Sequence, residues 1–496
     1  MTTGRKPNGV VGYLMNPYWM LLLVFLVNLF VMLDGQMSND EGIWNYIGRV
    51  WYENGMPPYV GTVENKTPGI FELFAVSHML FGVNFYFVRL LGVLAVSFSA
   101  LTLFCIGRKL HSPSAGIFSM AVFGLTMAWG ALEGPHMSQT ETFMNLFSIL
   151  AFFCVIRGAE GGAWKGWALA SGMCMGLAIA FKQIAIATAA GLIVFMPVYA
   201  ARKVGRRDLC AGILLAALGI CVSTVASYVP LLISGVSLRD YFEGAWMILL
   251  NEGSHTPTVR HLRELVRVFT NSKLALFYPI LFLFFLQRSL GRQRFFMGLL
   301  VWLSFDFVGT NASGYYFGHQ IKQLIPSLSL ILGIVLSNFL DVYATDSTLR
   351  PKYTSMVLVS LVVLVFPYDT FINNAYHMVH FDRTKVVARE VGTWLKGHTG
   401  SGDYVYVAIG GGNPILSYSD RLSPSRYFNT LFVTSPRERE ILLSDMESKS
   451  PLYIVRSRKD PFSKNVGKNI ERYISRHYTL LFSHYEYDVL KRKTVN

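Results

Sequence analysis

Apolar residues in this chain gather in long runs separated by short polar and basic stretches, and do not alternate as they do in half-buried strands. Eleven runs, centred near residues 26, 95, 123, 150, 172, 192, 222, 280, 302, 331 and 360, approach the ~20 residues that a helix needs to cross a bilayer's hydrocarbon. The polar connections alternate in charge. If the N-terminus is cytoplasmic, the inner loops hold Arg108 and Lys109; Arg157 and Lys165; Arg202, Lys203, Arg206 and Arg207; Arg288, Arg292 and Arg294; and Arg350 and Lys352. The short connections near 131–140 and 311–320 hold neither Lys nor Arg. The positive-inside rule therefore places the N-terminus inside, and an odd number of spans places the C-terminus outside. Arg5 and Lys6 before apolar Tyr18–Leu33 imitate a signal peptide, but no clear A-x-A site follows, and a retained signal anchor is expected.

Three outer segments are large: about 34–84, about 234–272, and everything after about 368, where the composition becomes that of a soluble domain. There, DYVYVAI reads as a buried strand and GGGNPILSYSD as a glycine turn into a helix; EREILLSDMES reads as a helix and PLYIVRS as a second strand. The pattern predicts a polytopic α-helical membrane protein of about eleven transmembrane helices over 1–368, followed by a small extracytoplasmic α/β domain over 369–496. Composition agrees: 52% of residues are hydrophobic, 15% are charged, and mean hydropathy is +0.39. The net charge of +14 belongs largely to short loops that meet anionic lipid, so it does not point to nucleic acid. The five cysteines lie in or beside apolar runs without metal-ligand spacing, so no disulfide framework is expected.

Within the first outer segment, Ile43, Ile47, Val50 and Trp51 fall at helical spacing. A short amphipathic helix in the membrane interface is expected, with Trp and Tyr at headgroup level, ended by Gly55 and Pro57-Pro58. Ser38-Asn39-Asp40-Glu41 has the form of a capping box, which accounts for Glu41 fully and Asp40 partly. Ser138-Gln139-Thr140-Glu141, at the start of the fourth span, has the same form.

The order of motifs after Asp40-Glu41 adds more. Gly55-Met56-Pro57-Pro58-Tyr59, Lys66-Thr67-Pro68-Gly69, Phe81-Gly82 and Arg89-Leu90 follow in turn. In this order and spacing the segment resembles the GT-C superfamily of membrane glycosyltransferases, most closely the bacterial protein O-mannosyltransferase and lipid A aminoarabinose transferase group (family 39/83-like). The resemblance is best over 38–145, fair near 170–190 and 310–335, and loose after 400. It implies the GT-C fold, with 34–84 as the catalytic outer loop and Asp40 as the base. Lys66 then lies near the donor phosphate, Arg89 is a second phosphate contact or a snorkelling anchor, and Glu141 orients the acceptor or shares basicity with Asp40. Glu41 joins the catalytic set; Glu133 and His136 are weaker candidates. Lys182-Gln183 within GLAIAFKQIAIATAAG, and Tyr315, Tyr316, His319 and Lys322 within NASGYYFGHQIKQLIPSLSLILG, match family positions that face the donor. A turn lysine and an aromatic belt with a snorkelling Lys are the plain structural readings of those two stretches.

A polyprenyl-phosphate sugar needs cations at its leaving phosphate and a base for the acceptor's hydroxyl or amine. The resemblance thus implies an inverting transfer from a polyprenyl-phosphate-linked donor to a glycolipid, lipopolysaccharide or protein acceptor at the outer face of the cytoplasmic membrane. No metal site and no cofactor are expected, with a divalent cation held by carboxylates as the alternative. A multi-pass transporter or flippase with an acidic relay, and an O-antigen-ligase-like transferase using a lipid diphosphate, are the rival readings. The latter would use Arg260, His261, Arg263 and Arg267. Gly410-Gly411-Gly412 reads as a tight turn in preference to an anion site, and Asp403, Tyr418 and Arg426 fit scaffold and acceptor-contact roles equally.

Overall fold

The computed structural model describes residues 16–129, 138–248, 263–264, 266–267, 294–312, 317–345, 376, 383–410, 414–459 and 466–493. Its helices through the first half are α1 (Pro17–Met32), α2 (Asn39–Asn54), α3 (Gly69–Phe81), α4 (Tyr86–Leu110), α5 (Pro113–Thr126), α6 (Thr140–Gly161), α7 (Trp164–Phe181), α8 (Ala185–Ala200) and α9 (Arg206–Ile233). Then follow α10 (Leu238–Phe242), a π turn Glu243–Met247, α11 (Arg294–Asn311), a 3-10 segment Gly318–Leu324 and α12 (Ile325–Thr345). The C-terminal part holds α13 (Arg383–Gly397), β1 (Val405–Ala408), α14 (Ile415–Ser419), α15 (Pro436–Lys449), β2 (Tyr453–Ser457), α16 (Lys468–His477), β3 (Tyr478–His484) and β4 (Tyr487–Arg492). Nine of the eleven expected runs coincide with helices (α1, α4 to α9, α11 and α12); those near 280 and 360 lie outside the described residues. Among the described residues, Tyr86–Leu110, Thr140–Gly161, Arg206–Ile233 and Gly318–Leu340 are long and apolar enough to cross a membrane, and α1, α3, α5 and α8 are shorter apolar helices.

The chain divides into two compact units: Met1–Leu33, Arg89–Ser227 and Leu250–Ala375 in the first, and Asp34–Val88, Tyr228–Leu249 and Tyr376–Asn496 in the second. In the first unit, α6 packs on α7, α8 on α11, and α5 on both α1 and α12. Small residues permit the close approaches: a Cβ on Gly333 of α12 would meet the Ser119 hydroxyl of α5 at 2.2 Å. At one end of this bundle a single carboxylate ties three elements. Glu160 of α6 accepts from the Tyr199 hydroxyl of α8 at 2.8 Å and from Lys203 at 3.2 Å, and pairs with Lys109 of α4.

In the second unit the sheet order is β1-β2-β4-β3, with β1 parallel to β2 and the other pairs antiparallel. DYVYVAI and PLYIVRS supply β1 and β2, and EREILLSDMES supplies α15 with a complete capping box at Ser435 and Glu438. The core beneath the sheet contains Tyr406, Leu442, Met446, Ile454, Ile470 and Leu490, and also Val63 from the outer loop. The first outer segment and the C-terminal part therefore share one hydrophobic core.

This corrects one expectation. Helix α2 buries every residue from Glu41 to Val50, Trp44 and Tyr46 included, so these two aromatics do not lie among lipid headgroups; Trp51 is half-buried and Tyr52 is exposed. One side packs against α3, where Gly48 lets the Phe74 backbone approach. On another, the Tyr46 hydroxyl accepts from the Ser423 amide at 2.9 Å, and its ring lies 4.8 Å from that of Phe428. At Tyr46, protein contacts replace the expected lipid.

Candidate functional site

Each unit carries part of the expected site. In the second, the Ser38 hydroxyl accepts from the Glu41 amide at 3.3 Å and Glu41 Oε2 accepts from the Ser38 amide at 2.9 Å, closing the capping box. Gly55 ends the helix in the left-handed region at φ 63°. Glu41 is thus spent on the cap. Asp40, one residue earlier and half-buried, has no hydrogen-bond or ion-pair partner among the described residues.

C-terminal residues brace this helix. Ser417 donates to the Gly42 carbonyl at 2.7 Å, and the Met37 amide donates to the Tyr418 hydroxyl at 2.9 Å. Buried Arg49 donates to Asp420 Oδ1 at 3.0 Å and to the Arg421 carbonyl at 2.8 Å. Lys66 follows a turn held by Tyr59, whose hydroxyl donates to the Lys66 carbonyl at 2.6 Å and whose own carbonyl accepts from Arg426 at 2.7 Å. Tyr59 sits at φ 69°, an uncommon region for a tyrosine, fixed there by ring contacts with Phe71 and Tyr241. The Lys66 ammonium donates to Asn65 Oδ1 at 2.8 Å and lies 3.7 Å from buried Glu64. Glu64 and Asn65 were not singled out by sequence, although they adjoin Lys66 in the same motif. Tyr418 and Arg426 serve as scaffold, as does Asp403, which accepts from the Gly400 amide at 2.7 Å.

In the first unit, cations meet at the start of α6. Lys182 caps α7 in extended conformation, φ −157° and ψ 130°, and its ammonium pairs with Glu141. His319 Nε2 is 3.8 Å from the same carboxylate, and the Thr140 hydroxyl donates to Glu141 Oε2 at 2.9 Å. Lys322, fully buried, donates to Gln139 Oε1 at 2.5 Å, while the Lys322 carbonyl accepts from Asn145 at 2.8 Å. The expected second capping box is absent: the N-cap is Gln139, without a side-chain cap bond. The reason is electrostatic, since Lys182 draws the Glu141 carboxylate and Lys322 draws the Gln139 amide oxygen. Gln139 therefore joins this cluster, and sequence reading missed it because it looked like filler within a cap. Lys182 is both a turn residue and a buried cation; neither it nor Lys322 snorkels.

Arg89 is fully buried and donates to the Met32 carbonyl at the end of α1 at 3.1 Å, so the snorkelling reading does not describe it. Tyr315, Tyr316, Glu133, His136, Arg260, His261, Gly411 and Gly412 lie outside the described residues. Chemically, two ammonium groups and one carboxylate give the Lys182, Lys322 and Glu141 cluster a formal charge of +1, before any protonation of His319. A buried cluster with excess positive charge suits an anion.

No curated protein matches the chain significantly. The model of the dolichyl-phosphate-mannose-protein mannosyltransferase family matches residues 65–228, a stretch that contains Lys66, Arg89, Glu141 and Lys182 and begins after Asp40. The chain is similar in structure to ArnT from Cupriavidus metallidurans bound to undecaprenyl phosphate, with 14% identity, a TM-score of 0.64, and coverage of 97% of this chain and 98% of that one. The apo state of the same protein aligns at 16% identity and a TM-score of 0.66, covering 95% and 97%. The archaeal oligosaccharyltransferase AglB from Archaeoglobus fulgidus, in complex with an inhibitory peptide and a dolichol-phosphate, aligns at 12% identity and a TM-score of 0.57, covering 89% of this chain and 69% of that one. The resemblance to GT-C membrane glycosyltransferases is thereby shown, and the fold is theirs.

Proposed function

We propose that this chain is an inverting glycosyltransferase that moves a sugar from a polyprenyl-phosphate-linked donor to a glycolipid, lipopolysaccharide or protein acceptor. It works as a multi-pass protein of the cytoplasmic membrane, with the N-terminus inside and the 369–496 domain in the periplasm. Asp40 takes the proton of the acceptor's hydroxyl or amine as that atom attacks the anomeric carbon. The bond from that carbon to the phosphate oxygen breaks, and the electron pair leaves with the lipid phosphate. Lys66, Lys182, Lys322 and His319, with Tyr316 and Arg89 as further contacts, stabilise the leaving charge, and Glu141 orients the acceptor. Side-chain cations meet a monophosphate leaving group here without a divalent ion.

The observation that carries this reading is the pair of buried ammonium groups, Lys182 and Lys322, gathered at Glu141. Burying a lysine is unfavourable unless a negative charge compensates it, and one carboxylate serves two lysines here. Supporting it, the family model that spans Glu141 and Lys182 is named for a lipid-phosphate sugar donor. Transfer from synthetic polyprenyl-phosphate sugars by the purified protein tests it. Asp40→Asn is expected to slow transfer by about 10²–10⁴-fold, the usual contribution of a general base, while the protein still folds. Full activity in that variant removes Asp40 from the base role, and loss of transfer on chelation with EDTA overturns the metal-free reading.

A further inference from the structure

One carboxylate in the membrane bundle is not used by the reaction proposed above. Asp306 interrupts the apolar run of α11 and is 1% exposed. An acid placed so deep is unfavourable in a bilayer and calls for a specific task. Its surroundings are polar and ordered. The Thr188 hydroxyl of α8 donates to Asp306 Oδ1 at 2.7 Å, and the Ser327 hydroxyl of α12 donates to Oδ2 at 3.0 Å. Trp302, one turn earlier on α11, has its ring flat on Phe152 of α6 at 3.7 Å between centroids. A relay then leads outward. Gln323 Nε2 donates to the Thr188 hydroxyl at 2.9 Å and to the Ile184 carbonyl at 3.3 Å. Gly309 makes room for it, since a Cβ there would meet Gln323 Nε2 at 2.6 Å.

The positions in the chain give these bonds their meaning. Gln323 follows Lys322, and Ile184 lies two residues after Lys182. Trp302, on the same helix as Asp306, stacks on α6, the helix that opens on Glu141. Gln323, beside Lys322, is thus two hydrogen bonds from this carboxylate, and the Ile184 carbonyl, close to Lys182, is three. We propose that Asp306 is a positioning residue: through Thr188, Ser327 and Gln323 it holds the turn bearing Lys182 and the 3-10 segment bearing Lys322 in the register that receives the lipid phosphate, an inference that rests on the donor-phosphate reading. It acts by accepting hydrogen bonds and does not touch the reacting atoms.

The test is calorimetric binding of a short-chain polyprenyl phosphate to the full-length protein in nanodiscs, with the corresponding free alcohol as control. Asp306→Leu is expected to weaken phosphate binding about tenfold, the equivalent of one well-placed charge-assisted hydrogen bond, and to leave the alcohol's affinity unchanged. Asp306→Asn keeps an acceptor for Thr188, and Ser327 can turn to accept from its amide, so it is expected to bind within about threefold of wild type if hydrogen bonding is the mechanism. Thr188→Val cuts the relay while sparing Asp306, and decides the matter if Asp306→Leu does not fold. Unchanged phosphate affinity in folded Asp306→Leu or Thr188→Val overturns the proposal, as does an equal loss for phosphate and alcohol, or an Asn variant as weak as Leu. Lys182→Met and Lys322→Met separate the two readings. If both bind the phosphate like wild type, the donor-phosphate reading has failed; if they lose it while the Asp306 and Thr188 variants do not, only this inference has.

Discussion

Replacing Lys182 with Met separates the structural work of the Glu141 pair from its chemical work. Both side chains are buried, so the substitution strands a carboxylate away from water. Removing one partner of a buried ion pair typically destabilises by about 3–5 kcal/mol. The lower end applies here, because His319 remains 3.8 Å away and the Thr140 hydroxyl still donates. Adding Glu141→Gln removes that carboxylate but also the charge that compensates buried Lys322, so the Lys182→Met/Glu141→Gln protein is expected to recover only part of the lost stability. Transfer should behave differently. If Lys182 meets the donor phosphate, the single substitution abolishes most donor use and the double does not regain it, whatever its stability. Unfolding in detergent and donor kinetics, run on the same four proteins of the cycle, provide both readouts. Recovery of transfer in step with stability in the double variant would show that the pair is only a tie between α6 and α7, and would refute the assignment of Lys182 to the phosphate.

Two further outcomes follow from the second unit. Gly42 faces Pro414 so closely that a Cβ would stand 2.5 Å from the Pro414 Cα; Gly42→Ala should displace the helix that carries Asp40, slow transfer more than tenfold and destabilise by about 1–3 kcal/mol, and wild-type turnover would show that Asp40 needs no such bracing. On α3, read as lying outside the spans, burial lowers the His78 pKa from 6.5 to about 4 and raises that of Glu72 from 4.5 to about 7. Unfolded chains then bind more protons at His78 between pH 4 and 6.5, so its contribution to stability rises with pH, whereas Glu72 contributes stability that is lost as pH climbs from 4.5 to 7. Relative to wild type, Glu72→Gln should therefore gain a rising slope between pH 4.5 and 7, well under the limit of about 1.4 kcal/mol per pH unit because Glu72 is only half-buried. His78→Gln should gain a falling slope between pH 4 and 6.5; unfolding midpoints against pH that keep the wild-type slope in both variants would contradict this.

What the sequence made readable was mostly local. Apolar run length located nine helices, the alternating charges suggested which ends share a side, and an i to i+3 pattern located the cap on α2. The motifs after Asp40 were readable because each is a turn with its own chemistry, such as Gly55 in the left-handed region and the Pro57-Pro58-Tyr59 bend. Contacts between distant residues were not readable. Tyr46 meets Ser423 across 377 positions and Lys322 meets Gln139 across 183, and such pairs are set by how helices pack. Asp306 does leave a signal in the sequence, an acid inside an apolar run.

The two Ser-x-x-Glu stretches carry this further. Ser38 to Glu41 and Ser138 to Glu141 present the same local pattern at the start of a helix, and the pattern by itself predicts the same reciprocal cap. Only the first forms it. At the second, the carboxylate turns to Lys182, and Gln139 takes the N-cap place and accepts from Lys322. A reciprocal cap contributes on the order of 1 kcal/mol, whereas a buried ammonium left without an acceptor costs several, so the cap yields once the cations are buried beside it. The place where the local rule fails is thus the place where cations have been brought together, as expected if the motif has a task besides capping. Glu41 and Glu141 then divide by environment and not by motif: the first stabilises a helix end, and the second holds charge in position.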